Sequence, residues 1–369
     1  MRVAITLEQC WHRVPGGTAT AALGTIAALQ QLPNPPEIAG VAAWHRQRAS
    51  EPFVPSVEVA QVRLPRLALY WAWHGLRWPS VELAVGPVDV VHATGMAIPP
   101  KTAPMVATVN DLAFMQYPEH FTARGRRFFG RAWQLICADA DVIVCPSQHT
   151  ATACSAAGVS RERLRVVPYG VDTAKVPPSG ARLAVQEVKR RYRLGERFVL
   201  WVGTVEPRKN LKGLLEAWRM LQPREEQLVL VGPQGWNSEL GDTVAAFGNS
   251  VRVLGFVAEA DKRALLAAAT VFCYPSLTEG FGLPVLEAMA QATPVVTSAV
   301  GATAEVAGDA GVLVDPFCPK TIADALAGLL DSGEEATRLG QMGQQRAQAE
   351  FSWQRSAQGL LDVYHEVAG

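Results

Sequence analysis

Hydrophobic and polar positions in this chain follow two periods. Short apolar, β-branched runs occur at 2–6, 37–43, 57–62, 89–94, 104–110, 141–147 and 164–170, and again at 197–203, 227–232, 250–256, 270–276, 293–298 and 310–316. Several, such as RFVLWVG, are apolar at nearly every position, as a strand covered on both faces requires. Other stretches carry apolar residues three and four apart. Leu211, Leu214, Leu215 and Trp218 predict one helix with a buried stripe, and Trp353, Leu360, Leu361, Val363 and Tyr364 predict a closing helix capped by Ser352. Strand–helix alternation of this kind predicts α/β architecture, with parallel sheets joined by right-handed crossovers.

The two series of strands imply two doubly wound domains, which suits a length of 369 residues. The expected break is the Pro/Gly segment Lys175–Gly180. The expected domains are therefore 1–175 and 181–351, with residues 352–369 packing back on the first. Ligands of such sheets sit beyond the carboxyl ends of the strands, so two facing domains would bind theirs in the cleft between.

Composition narrows the function classes. Half of the residues are hydrophobic and 18% are charged, which supports a packed core and excludes bulk disorder. Net charge is zero, with 16 Lys+Arg against 12 Asp+Glu in residues 1–180 and 18 against 22 in the remainder. With no nucleic-acid motif, that balance argues against a nucleic-acid partner. The six cysteines form no CxxC pair, which gives zinc-ribbon and redox readings no support and fits a reducing, cytoplasmic setting. Residues 2–6 read as a strand rather than a leader peptide, and no uninterrupted apolar run reaches membrane-spanning length.

Two motifs carry chemistry. In Trp201–Leu211 a buried strand ends at Gly203 and a helix begins after Asn210, a good N-cap. Arg208 and Lys209 precede that helix, where two cations beside unpaired helix N–H groups suit a diphosphate. In Thr278–Ala290, Gly280 and Gly282 permit close backbone approach, and Pro284 suits the first helical turn. Glu279 then falls in the loop and Glu287 in the helix. Dipole compensation explains one glutamate near a helix start but not the glycines. Carboxylates accept hydrogen bonds from paired hydroxyls, as in sugar and ribose.

These motifs resemble the retaining glycosyltransferases of family 4, which have the GT-B architecture of two Rossmann-like doubly wound parallel-sheet domains facing a central cleft. The resemblance covers nearly the whole chain and is strongest in VGTVEPRKNL (202–211), EGFGLPVLE (279–287) and EVAGDAGVLVDP (305–316). It implies transfer of a hexose, of mannose or glucose type, from a GDP- or UDP-linked donor to a hydroxyl of a glycan or lipid-linked acceptor. GDP-mannose is slightly preferred, a role in polysaccharide biosynthesis is implied, and neither cofactor nor metal is required. Glu279 and Glu287 match the family's Glu-x7-Glu signature, the first on the donor sugar and the second on the ribose. Arg208 and Lys209 match the cations on the donor diphosphate, and Gly16 and Gly17 a short loop facing the transferred sugar. Gly203, Gly280, Phe281, Gly282, Leu283, His92 and Asp111 complete the implied substrate contacts. The implied catalytic residues are Asn110, Arg208, Lys209 and Glu279.

Asn110, before Asp111 and Leu112, stands where the family usually has histidine. An amide can hydrogen-bond a sugar hydroxyl but cannot shuttle a proton. In the family's proposed front-face mechanism the leaving phosphate deprotonates the acceptor, so the loss need not abolish transfer. The alternatives are a GT-B epimerase or phosphorylase and a weak or inactive subunit that binds a nucleotide sugar or a partner protein. Asp139 and Asp141 form an Asp-x-Asp pair, but outside the context of a metal loop. His92 ends a strand, where a satisfied core histidine and a ligand contact are both expected. Arg63–Trp78 and Arg124–Trp133 mix arginines with aromatics. Such segments suit an anionic membrane surface at the inner face of the cell membrane, or core aromatics with solvated arginines.

Overall fold

The computed structural model describes residues 1–172, 178–235 and 241–369, apart from the side chains of 178–182 and 241–242. Part of the expected break, residues 175–177, lies outside the described residues. The chain divides into two compact units, Met1–Gly170 with Trp353–Gly369, and Val171–Ser352.

The first unit holds seven parallel strands: β1 (Arg2–Thr6), β2 (Glu37–Trp44), β3 (Val59–Pro65), β4 (Val90–Ala93), β5 (Met105–Thr108), β6 (Val142–Cys145) and β7 (Leu164–Val166), in the order β3-β2-β1-β4-β5-β6-β7. The second holds six: β8 (Phe198–Val202), β9 (Gln227–Val231), β10 (Val251–Gly255), β11 (Val271–Tyr274), β12 (Val295–Ser298) and β13 (Gly311–Val314), in the order β10-β9-β8-β11-β12-β13. Every residue of β4, β5, β6, β8, β11 and β12 is buried, which is why these runs are apolar throughout. Strand order reverses between β1 and β4 in one sheet and between β8 and β11 in the other. Chains leaving such neighbours diverge to opposite faces and open a crevice at their carboxyl ends.

The helix Leu211–Leu221 buries Leu211, Leu214, Leu215, Ala217 and Trp218. Each large side chain so removed from water contributes roughly 1.5–3 kcal/mol. The closing helix Trp353–Ala368 buries Ala357, Leu360, Leu361, Val363 and Tyr364 and packs on the helix Gly16–Leu29. A Cβ on Gly24 would run into the Trp353 indole, so glycine is required for that approach. Arg165 pairs with Glu366 and ties β7 to the same helix.

The segment Arg63–Trp78 is part core and part surface. Trp73 is buried, and Tyr70 and His74 stack on Phe128. Leu67, Trp71, Leu76 and Trp78 are exposed. Arg77 is no surface cation: it adopts φ 54°, donates to the carbonyls of Trp73, Ile98 and Pro99, and pairs with Asp139. Asp141 pairs with Lys101 and accepts from the Met105 amide, so both acids of the Asp-x-Asp pair hold the fold together.

Candidate active site

The second unit places Arg208 and Lys209 beyond β8 and Glu279 beyond β11, on the two sides of its strand-order reversal. The turn Pro207–Lys209 leads into Asn210, at φ 55°. Asn210 accepts from the Gly213 amide at 3.3 Å, capping the helix, and its own amide donates to the carbonyls of Pro275 at 3.0 Å and Pro316 at 2.6 Å. The Leu277 amide donates to the Arg208 carbonyl at 2.8 Å. Three loops are thereby fixed to one another, which sets Glu279 against the cations.

Glu279 accepts from Arg208 Nη1 at 2.9 Å through Oε2, and from Lys209 Nζ at 2.5 Å and the Tyr274 hydroxyl at 3.0 Å through Oε1. Arg208 Nη2 also lies 2.9 Å from Glu206. Lys209 and Glu279 are only 7% and 8% exposed, so neither charge would be tolerated alone. Burial pushes the Glu279 carboxyl up, but Arg208 and Lys209 outweigh it and hold it at about 2. The Lys209 ammonium is pushed down, first by burial and then by Arg208. Burial and Glu279 raise the Tyr274 hydroxyl, which stays protonated and donates. The cluster can exchange carboxylate contacts for those of an incoming phosphate. Glu206 and Tyr274 have no role in the sequence reading, although Glu206 lies two positions from Arg208.

Gly282, at φ 106°, ends the turn before the helix Leu283–Ala290, with Pro284 in its first turn. A Cβ on Gly282 would press on Thr303. Glu287 bonds Lys262 at 2.9 Å, and Glu259 pairs with the same lysine at 3.1 Å. Burial raises the Glu287 carboxyl against the pull of Lys262. Lys262, distant in sequence, had no motif to reveal it. Phe281 is buried and packs edge-on against Phe351. The Gly203 amide donates to the Val231 carbonyl at 2.9 Å and so continues the sheet beyond β8.

In the first unit, Gly16 and Gly17 open the helix Gly16–Leu29 rather than forming a separate loop, with Gly16 at φ +64°. Asn110 follows β5. Its Oδ1 accepts from the Tyr169 hydroxyl at 2.6 Å and its main-chain carbonyl from Thr150 at 3.1 Å. This leaves the amide nitrogen as the donor end. Asp111 accepts from the Ala113 amide at 3.0 Å in a local turn. His92 has the partners of a core histidine. Its Nδ1 lies 2.7 Å from Tyr364 Oη and its Nε2 2.7 Å from Thr108 Oγ1, so both ring nitrogens are engaged inside the unit.

Comparison with known proteins gives the family. Residues 15–175 match the model described as Glycosyltransferase Family 4, and residues 185–346 that described as Glycosyl transferases group 1. The chain belongs to the family 4 glycosyltransferases. It is 32% identical over 297 residues to O-antigen chain mannosyltransferase B of Escherichia coli, covering 74% of each chain. It is 38% identical over 215 residues to MMP alpha-(1->4)-mannosyltransferase of Mycolicibacterium hassiacum, but covers only 50% of that protein. The fold matches Anabaena HepE, solved with UDP and glucose, with a TM-score of 0.76 at 20% identity over 99% of this chain and 100% of that one. The chain is a GT-B glycosyltransferase.

Proposed function

We propose that the chain transfers a hexose from a nucleoside-diphosphate sugar to a hydroxyl acceptor with retention at the anomeric carbon. The observation that carries this reading is the buried cluster of Arg208, Lys209 and Glu279 where the strand order of the second sheet reverses. The donor diphosphate takes up the Arg208 and Lys209 contacts, and Glu279 turns to the sugar hydroxyls. Glu287 accepts from the ribose. As the C1–O bond to phosphate breaks, negative charge grows on the leaving diphosphate, where the two cations stabilise it. The acceptor oxygen bonds C1 from the same face, and its proton passes to the leaving phosphate oxygen. Asn110, oriented by Tyr169, donates to a sugar hydroxyl and takes no proton. No cofactor enters, and the cations replace a metal on the diphosphate.

The name of the E. coli relative, an O-antigen chain mannosyltransferase, supports mannose as the sugar, and we take the donor as GDP-mannose and the acceptor as a glycan or lipid-linked glycan. A cytoplasmic enzyme at the inner membrane face fits such an acceptor. Among the described residues no helix is long and apolar enough to cross a membrane. The purified chain should release nucleoside diphosphate from GDP-mannose faster than from UDP-glucose, and NMR of the product should show the donor's anomeric configuration. Inversion would refute the mechanism. No turnover with any nucleotide sugar would favour the second reading, a binding-only subunit, which Asn110 in place of histidine supports.

A further inference from the structure

A second group of polar side chains gathers in the first unit, after the carboxyl ends of β1, β2 and β3. Glu8 is 3% exposed and fully engaged. It accepts from the Ala43 amide at 2.8 Å and from His45 Nε2 at 2.9 and 3.0 Å. The His45 ring lies flat on Trp11, 4.9 Å between centroids and 7° from parallel, and Trp11 donates to the Gln47 carbonyl. His12 Nε2 lies 3.1 Å from the Tyr70 hydroxyl, and Tyr70 is backed by Phe128. Arg13 follows β1, Arg46 and Arg48 follow β2, and Arg66 follows β3. Among the described residues no carboxylate pairs with any of these four arginines. Each cation of the Arg208–Lys209 cluster has an acid.

His12 is held neutral, its pKa lowered to about 4 by burial and then by Arg66 and His45. The charged and titratable groups acting here are Glu8, already committed to His45, together with Tyr70, His45 and Arg66. A neutral imidazole bonded through Nε2 can present Nδ1–H to a ligand. Unpaired arginines beside such a donor suit a tetrahedral oxyanion, which accepts several charge-assisted hydrogen bonds at once.

We propose that this corner of the first unit, built from His12, His45 and Arg66, with Arg13, Arg46 and Arg48 beside them in the sequence, binds a phosphate group carried by the acceptor. The acceptor assignment rests on the transfer reading, whereas the phosphate site itself does not.

The test is histidine NMR of the full chain titrated with inorganic phosphate and with glycerol 1-phosphate, the His12 signal being assigned through His12→Gln. Binding and protonation are linked, so each should favour the other. Both probes should move the His12 signal saturably and raise its pKa by about one unit, a tenfold coupling. Arg66→Gln should weaken that binding roughly tenfold, Arg66→Lys less, and Arg208→Ala not at all. Glycerol should have no effect. A His12 signal that ignores both probes, or that responds equally in Arg66→Gln, overturns the site. In transfer assays Arg66→Gln should raise the KM for a phosphorylated acceptor and leave the donor KM unchanged. An unchanged acceptor KM overturns the acceptor assignment. Saturable phosphate binding at His12 in a chain with no transfer activity would refute the transfer reading and uphold the phosphate site.

Discussion

The Nδ1 atom of His92 lies 2.7 Å from the hydroxyl of Tyr364, 272 positions later in the chain. This contact fastens the closing helix to β4. Burial favours the neutral ring and lowers the His92 pKa from 6.5 to about 3. Between those values the unfolded chain binds more protons than the folded one. The stability from this group is therefore complete above pH 6.5 and is lost as pH falls toward 3, by up to about 1.4 kcal/mol per pH unit. Urea unfolding from pH 7 to 4 should show a shallower pH slope in His92→Gln than in the native chain. Equal slopes would rule out His92 as the source.

Arg208→Ala and Lys209→Ala should each lower turnover by roughly 10²–10³-fold, the scale of losing one group that stabilises transition-state charge. Steady-state transfer assays give the value, and chelator should leave the native rate unchanged. A rate abolished by chelator and restored by manganese would mean that a metal does the work assigned to the cations.

Asn110→His should be tolerated, and Asn110→Ala should cost one or two neutral hydrogen bonds, roughly a 2- to 150-fold loss in kcat. Tyr169→Phe should cost one such bond, roughly 2- to 13-fold, because the phenol holds the Asn110 carbonyl in place. Activity created only in Asn110→His would show that the native chain is a binder rather than an enzyme.

Glu287→Ala should weaken nucleoside diphosphate binding by roughly 1.5–3 kcal/mol, the range for charge-assisted hydrogen bonds. Lys262→Met removes the group opposing the upward shift of the Glu287 carboxyl. Affinity in that variant should fall as pH is lowered, at higher pH than in the native chain. Calorimetry across pH 5–8 separates the two effects, and unaltered affinity in Glu287→Ala would reduce the residue to a helix-dipole role.

Leu67, Trp71, Leu76 and Trp78 are between 59% and 66% exposed, an apolar set that suits a membrane interface. Trp71→Ala with Trp78→Ala should reduce co-sedimentation with vesicles containing phosphatidylglycerol at least threefold. Binding unaffected by the pair would place any membrane contact elsewhere.

Period and punctuation in the sequence were enough for the two sheets, because strands covered on both faces must be apolar throughout and crossovers must return them in parallel. The loop position of Glu279 and the helical position of Glu287 were legible for a similar local reason: Gly280, Gly282 and Pro284 mark the turn. Partner choice was not legible. Arg208 meets Glu206 through two residues of separation, but it meets Glu279 only because Asn210 ties three loops together. Lys262 reaches Glu287 from another helix. His92 looked equally suited to a ligand or to the core until the closing helix brought Tyr364 to it. Hydrogen bonds and ion pairs act over about 3 Å, whereas sequence pattern reports one element at a time. Which side chains meet across elements was decided only when the sheets packed and their carboxyl-end loops were fixed.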